Sequence, residues 1–166
     1  MSTSDNLQEA FAGESQANRK YLAFAKKAAD EGFLQIAKLF RAAAEAETVH
    51  AHAHLRVLDG VKDTTQNLEA SIEGEGFEFQ QMYPKFLAEA EQEGNKRAAI
   101  SIKNALAVEE IHYNLYSEAL ESAKEGKDLA PATIHVCDVC GNTVVGDAPD
   151  RCSVCGAPKE RFVEVK

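Results

Sequence analysis

Apolar residues recur at helical spacing along much of the chain. Phe33, Ile36, Ala37, Phe40 and Ala44 form one such series, and Ile100, Ala107, Ile111 and Leu115 another. That period places each series on one face of a helix. The positions between them are rich in Ala, Leu, Glu, Lys and Gln, all good helix formers. Pro84 is the one proline before residue 131. Gly32, Gly60, Gly94 and Gly126 fall where helices would end, as C-terminal caps or turns. The pattern predicts four helices, over about 4–30, 33–58, 66–93 and 95–124. Ser4 or Asp5 suits the first N-cap, and Thr64 or Thr65 the third. Pro84 is expected to kink the third helix.

After Lys127 the pattern changes. Pro131, Pro149 and Pro158 appear with Gly141, Gly146 and Gly156, and Val144-Val145 forms a short β-prone run. The division expected is a helical domain over 1–128 and a small loop-and-strand domain over 129–166. A piece that small buries too little surface to fold without a staple. All four cysteines of the chain lie there, as Cys137-x-x-Cys140 and Cys152-x-x-Cys155. A glycine follows each pair and lets backbone N–H groups turn toward sulfur. Four thiolates suit tetrahedral iron or zinc, and the spacing does not choose between them.

The helical region repeats itself. Gly13-Glu14 recurs as Gly74-Glu75, Glu31-Gly32 as Glu93-Gly94, and Glu47-x-x-His50 as Glu109-x-x-His112. Each half reads as a helical hairpin with one glutamate on its first helix and Glu-x-x-His on its second. Residues three apart share a helix face, so Glu47 with His50, and Glu109 with His112, can each address one point in space. With Glu14 and Glu75 on the partner helices, four inward-facing helices gather four glutamates and two histidines. That is the ligand set of di-iron carboxylate bundles. Without metal, inward carboxylates repel one another and are costly to bury. The repeat breaks at one place: Glu78 follows Glu75 by three residues, whereas the matching position in the first half is Ala17. Glu78 and His50 are thus candidate competing ligands. His52 is read as a surface residue, and His54 likewise as outside the ligand set. A redox-type site nearby favours iron over zinc for the cysteines.

Charge narrows the function. The 166 residues carry 27 acidic and 18 basic side chains, a formal charge of −9. That excludes nucleic acid and an anionic membrane surface as partners. The polar start Met1–Asn6 has neither the basic nor the apolar region of an export signal, and no apolar run is long enough to span a bilayer. Paired cysteines without an export signal fit metal binding in a reducing, cytoplasmic compartment.

Several segments carry a family resemblance: Ala12–Ala17, Glu47–His50, Gly74–Glu78, Met82-Tyr83-Pro84, Glu109–His112, and the two cysteine pairs through Ala157-Pro158-Lys159. Along essentially its whole length the chain resembles rubrerythrin. The resemblance implies a mainly α, ferritin-like four-helix bundle followed by a rubredoxin-like domain. It implies a non-haem peroxide reductase that converts hydrogen peroxide to water. A ferroxidase or dioxygen-reducing protein, or an iron-binding protein with a structural zinc clip, are the alternatives. Glu14, Glu47, Glu75, Glu78, Glu109 and His112 are implied as iron ligands, and His50 as the ligand that replaces Glu78 at one iron on reduction. Tyr21 and Tyr83 match tyrosines near the family's di-iron site. Cys137, Cys140, Cys152 and Cys155 are implied to hold one further iron, which returns electrons from a rubredoxin or an NAD(P)H-dependent reductase. A head-to-tail homodimer is implied as well. Asn142 departs from the family where an aromatic residue is usual, and Ser153 where proline is usual. The family runs its second and third helices parallel, and the connection between them here is short. The chain is therefore expected to exchange helices with a second copy.

Overall fold

The computed structural model describes residues 2–166. Helix α1 covers Thr3–Asp30 and α2 Leu34–Val57. Helix α3 covers Thr64–Phe77 and runs into a π-helical turn at Glu78–Met82, followed by α4 at Tyr83–Gln92 and α5 at Lys96–Lys124. Three short strands follow: β1 Ile134–Cys137, β2 Thr143–Val145 and β3 Phe162–Glu164, with a 3₁₀ turn at Lys159–Arg161 before β3. They form an antiparallel sheet in the order β2-β1-β3, with Val136 opposite both Thr143 and Val163. By its contacts the chain divides into two compact units, Met1–Lys62 and Asp63–Lys166.

The helix ends correct the expected caps. Ser2, not Ser4 or Asp5, caps α1: its hydroxyl accepts from the Asp5 N–H, while the Asp5 carboxylate accepts from the Ser2 N–H. This is a capping box with aspartate in the third helical position. Asp63, not Thr64 or Thr65, caps α3 through the Gln66 N–H. A carboxylate accepts that bond more strongly and also suits the positive end of the helix dipole. At the end of α2 the left-handed residue is Asp59, with φ +56°, and Gly60 comes one position later. Gly60 closes the turn by donating its N–H to Leu55 O at 2.9 Å. A side chain on Gly60 would run into Leu55, so its glycine serves a close approach.

In the first unit α1 packs along α2 through small residues. Ala25 and Ala28 on α1 and Ala37, Ala44 and Ala51 on α2 are all buried. The α2 alanines are seven apart, a seam that lets two helices approach closely. Asn18 is buried in the same seam and donates its amide to Ala44 O at 2.7 Å and Thr48 Oγ1 at 2.8 Å. In the second unit α3, the π turn and α4 pack against α5. Buried Gly76 lies where a Cβ would come 3.3 Å from the Tyr113 ring. Strand β2 touches α5, so the sheet and these helices belong to one unit.

The disruption at Pro84 takes the form of the π turn. Proline cannot donate to the residue four back. The turn shifts the pairing, with the Tyr83 N–H reaching Glu78 O, and leaves Pro84 in the first turn of α4, where no N–H is required. Single π turns inside α-helices are frequent at functional sites.

Candidate metal centres

The first candidate group lies on α1 and α2. Glu14, Glu47 and His50 bring ligand atoms within 4.8 Å of one another. His50 Nδ1 is 3.0 Å from Glu47 Oε2 and 4.0 Å from Glu14 Oε1. The hydrogen bond from His50, with a second from Glu14, holds the Glu47 carboxyl below the usual carboxylate range. His50 itself is exposed.

The second group repeats this arrangement on α3 and α5. Glu75, Glu109 and His112 also lie within 4.8 Å of one another. His112 Nδ1 is 2.9 Å from Glu109 Oε2 and 3.8 Å from Glu75 Oε1. All three are half-buried. Burial pushes the Glu75 carboxyl up, and the neighbouring Glu109 charge adds to it. Glu78, the first residue of the π turn, stands outside this close group. Its carboxyl is also raised, first by burial and then by Glu75. Two raised carboxyls beside a histidine mark a place where negative charge is in excess and a cation is favoured.

Of the two tyrosines, Tyr83 begins α4 directly after the π turn. Burial and the charges of Glu78, Glu109 and Glu75 raise its phenol, so the hydroxyl keeps its proton. Tyr21 packs among aromatic rings, with centroids 6.2 Å from Phe40 and 6.4 Å from Phe24.

The third group is the cysteine quartet. Cys137 Sγ lies 3.8 Å from Cys155 Sγ, and Cys140 Sγ lies 3.5 Å from Cys152 Sγ. These separations are far longer than a disulfide of about 2.05 Å. They match the edge of a tetrahedron with metal–sulfur bonds of about 2.3 Å, which is about 3.8 Å. Burial raises the Cys140 and Cys155 thiols. Burial opposes the Cys152 thiolate as well, yet N–H groups of Cys155 and Val154 and the Asn142 amide bring it down to about 6. Asn142 Nδ2 reaches Cys152 Sγ at 3.4 Å from an almost fully buried position. Four sulfurs gathered this closely suit a cation among them, which would hold all four as thiolates.

Three features escape the sequence pattern: Asn18 in the α1–α2 seam, the π turn, and a hydrogen bond from the sheet to His112. His112 Nε2 lies 2.9 Å from Thr143 Oγ1 on β2. Both residues line a mostly apolar cavity of about 540 Å³ with Leu115, Tyr116 and Ile134. A polar residue on a small-residue seam is the one trace of Asn18 in the sequence; Thr143 leaves none.

A family model described as Rubrerythrin matches residues 5–120. The chain belongs to the rubrerythrin family. A second model, the rubredoxin-like domain of rubrerythrin, matches residues 135–163. Rubrerythrin-2 of Clostridium acetobutylicum is 34% identical over 96% of this chain and 95% of its own length. Nigerythrin of Nitratidesulfovibrio vulgaris is 34% identical over 97% of this chain and 85% of its own. A solved structure of nigerythrin in a partially reduced state, 31% identical, matches with a TM-score of 0.59 over 99% of this chain and 87% of that one. The mainly α, ferritin-like rubrerythrin fold with its small strand-containing C-terminal part is thereby established. The carboxylate–histidine groups and the cysteine quartet match the di-iron and rubredoxin-type iron centres of rubrerythrins. Among the described residues no helix is long and apolar enough to cross a membrane.

Proposed function

We propose that this protein reduces hydrogen peroxide to water in defence against oxidative stress, in the cytoplasm. Glu14, Glu47, His50, Glu75, Glu78, Glu109 and His112 hold two irons, and Cys137, Cys140, Cys152 and Cys155 hold a third. The helical domain spans 1–128 and the electron-accepting domain 129–166. When bound, two ferrous ions supply one electron each, so that peroxide, two electrons and two protons give two waters without a radical product. Nigerythrin has been solved in partially reduced, mixed-valence and all-ferrous states, which supports redox iron in a relative. Electrons return through the cysteine centre from a rubredoxin or an NAD(P)H-dependent reductase.

The observation that carries the peroxide reading is the asymmetry around Glu78. Its carboxyl stands apart from the close Glu75–Glu109–His112 group and is raised toward protonation. Standing outside the close group, Glu78 can leave a metal without disturbing the contacts among Glu75, Glu109 and His112. In the proposed exchange His50, which is exposed and bonded to Glu47, takes the place of Glu78. Tyr83 keeps a proton at the same site, available to hydrogen-bond an oxygen ligand. On the family resemblance we take Tyr21 as a second tyrosine of the same site.

Stopped-flow oxidation of the fully reduced protein tests this by comparing peroxide with dioxygen. Peroxide is expected to oxidise it faster. Glu78→Ala is expected to slow turnover more than it weakens metal binding. Faster reaction with dioxygen makes the protein a ferroxidase, and a full peroxidase rate in Glu78→Ala removes the ligand exchange. A colourless cysteine site holding only zinc removes the electron relay.

We also place the protein in a helix-exchanged homodimer. Leu58–Asp63 alone connects α2 to α3. Val57 lies seven residues beyond His50 and Thr64 eleven before Glu75. For parallel helices the connection must recover about 27 Å along the bundle and about 10 Å across it, close to 29 Å in all. Seven steps of chain reach at most about 25 Å. Exchange of α3–α5 between two copies removes the conflict.

A further inference from the structure

Two histidines of equivalent sequence position are held differently. His50 is exposed, and among the described residues its hydrogen bond runs from Nδ1 to Glu47 and none is made by its Nε2. His112 is half-buried, and its Nε2 lies 2.9 Å from Thr143 Oγ1. Thr143 in turn donates its hydroxyl proton to Gly141 O at 3.2 Å. A hydroxyl has one proton. With that proton on the Gly141 carbonyl, Thr143 Oγ1 can only accept, so the proton between it and His112 sits on Nε2. Without metal, Nδ1 donates to the Glu109 carboxylate at 2.9 Å; with a metal in that proton's place, the neutral imidazole presents its lone pair on Nδ1, the atom that faces Glu109 and Glu75. The hydrogen-bond chain from the cysteine knuckle thus fixes the tautomer that ligates a metal.

The sheet holds Thr143 in place. It is the first residue of β2 and pairs with Val136 of β1, one residue before Cys137. Gly141 follows Cys140 directly, and its α-carbon faces Val108 on α5, one turn before His112. The mostly apolar cavity wall around His112 and Thr143 strengthens a hydrogen bond between them.

We infer that Thr143 is the positioning residue of His112: it anchors this histidine as the permanent ligand, while His50, without such an anchor, is the one that moves. The inference rests on the reading of the carboxylate–histidine groups as an iron site. Thr143 touches neither iron nor substrate; it acts through His112 Nε2. It also makes the first knuckle of the cysteine centre and the histidine one hydrogen-bonded unit, through Cys140, Gly141 and Thr143.

Partners that orient a ligating histidine are commonly worth 10- to 100-fold in metal affinity. The test uses the full chain loaded anaerobically with ferrous iron, as wild type, Thr143→Val and Thr143→Ser. Iron at the carboxylate–histidine site is withdrawn by competition with bipyridine, and the cysteine site is followed separately by the thiolate-to-iron band of aliquots reoxidised with ferricyanide. Thr143→Val is expected to lose the carboxylate–histidine iron at about 10- to 100-fold weaker affinity. Thr143→Ser, which keeps the hydroxyl, is expected to hold it as wild type does, with the thiolate band unchanged in all three. Equal retention in wild type and Thr143→Val overturns the inference. So does loss in Thr143→Ser to the level of Thr143→Val, or loss of the thiolate band in step with the iron, since either traces the effect to the fold of the sheet. Wild-type protein that binds iron only at its cysteines overturns the underlying reading instead.

Discussion

Helix exchange makes a quantitative demand on mixed dimers. Glu14 belongs to α1 and Glu109 to α5, on opposite sides of the six-residue connection Leu58–Asp63. That connection falls short of an unexchanged return by about 4 Å even when fully straight, and the observed caps tighten it further. Gly60 is already committed to closing the turn on Leu55, and Asp63 to capping α3. Glu14→Ala and Glu109→Ala each remove a proposed ligand, and each protein alone is expected to be inactive. When the two are co-expressed, half of randomly formed dimers contain one chain of each kind. In an exchanged heterodimer both defects fall in one site and the other site is intact. About a quarter of all sites then recover, read as peroxide turnover per chain and as iron bound outside the cysteine sites. In an unexchanged dimer every site keeps one defect. Recovery at the level of either variant alone therefore refutes the reach argument and implies an up-down-up-down bundle with a tight hairpin.

The raised Glu78 carboxyl has a sign that stability measurements can check. Its native value lies above the unfolded one, so its charge destabilises the metal-free fold at neutral pH, and the strain is relieved as pH falls through the raised value toward about 4.5. Metal-free Glu78→Gln is expected to melt higher than wild type at pH 7, with the difference closing near pH 4.5; circular dichroism melts showing no difference at pH 7 refute the burial cause. Glu47 has the opposite sign, its stabilisation being present above about 4.5 and lost as pH falls. Asn142→Ala removes an N–H···S bond to Cys152 that favours the more negative, reduced iron–thiolate centre. Its reduction potential should fall by roughly 20–60 mV, the equivalent of one hydrogen bond, and an unchanged potential in a redox titration of the thiolate band counts against that role. Ala44→Leu overpacks the α1–α2 seam, where Ala44 is fully buried and its carbonyl accepts from Asn18. A loss of about 1–3 kcal/mol in denaturant unfolding is expected, and wild-type stability shows that the seam is loose.

Much of this protein is written in local spacing. Glu47 with His50, and Glu109 with His112, meet because residues three apart on a helix must, and the structure places both histidines within 3.0 Å of their glutamates. The cysteine pairs and their glycines likewise converge through short-range turns, with left-handed backbone at Gly141 and Gly156. The helices follow from composition and period, and Gly32, Gly94 and Gly126 adopt the left-handed backbone expected at their ends. The caps are less legible. Ser2 displaced Ser4 and Asp5, and Asp63 displaced Thr64 and Thr65, because several polar residues cluster at each start and shifts of a residue or two cost little.

Other features depend on groups far apart in the chain. The bond from Thr143 to His112 joins positions 31 residues apart, across a helix and a sheet with no common period. The burial of Asn142 against Cys152, and of Asn18 against Ala44, depends on which side chains close the space around them. The π turn arises where Pro84, a local signal, meets the packing of α3 and α4 on α5. Sequence alone determined which residues can reach a metal, because ligand spacing on a helix or in a knuckle is set by covalent geometry. Tertiary structure alone decided how the candidate ligands differ, with His112 bonded at both ring nitrogens, His50 exposed and Glu78 outside the close group, because desolvation and hydrogen bonding are properties of the space between elements.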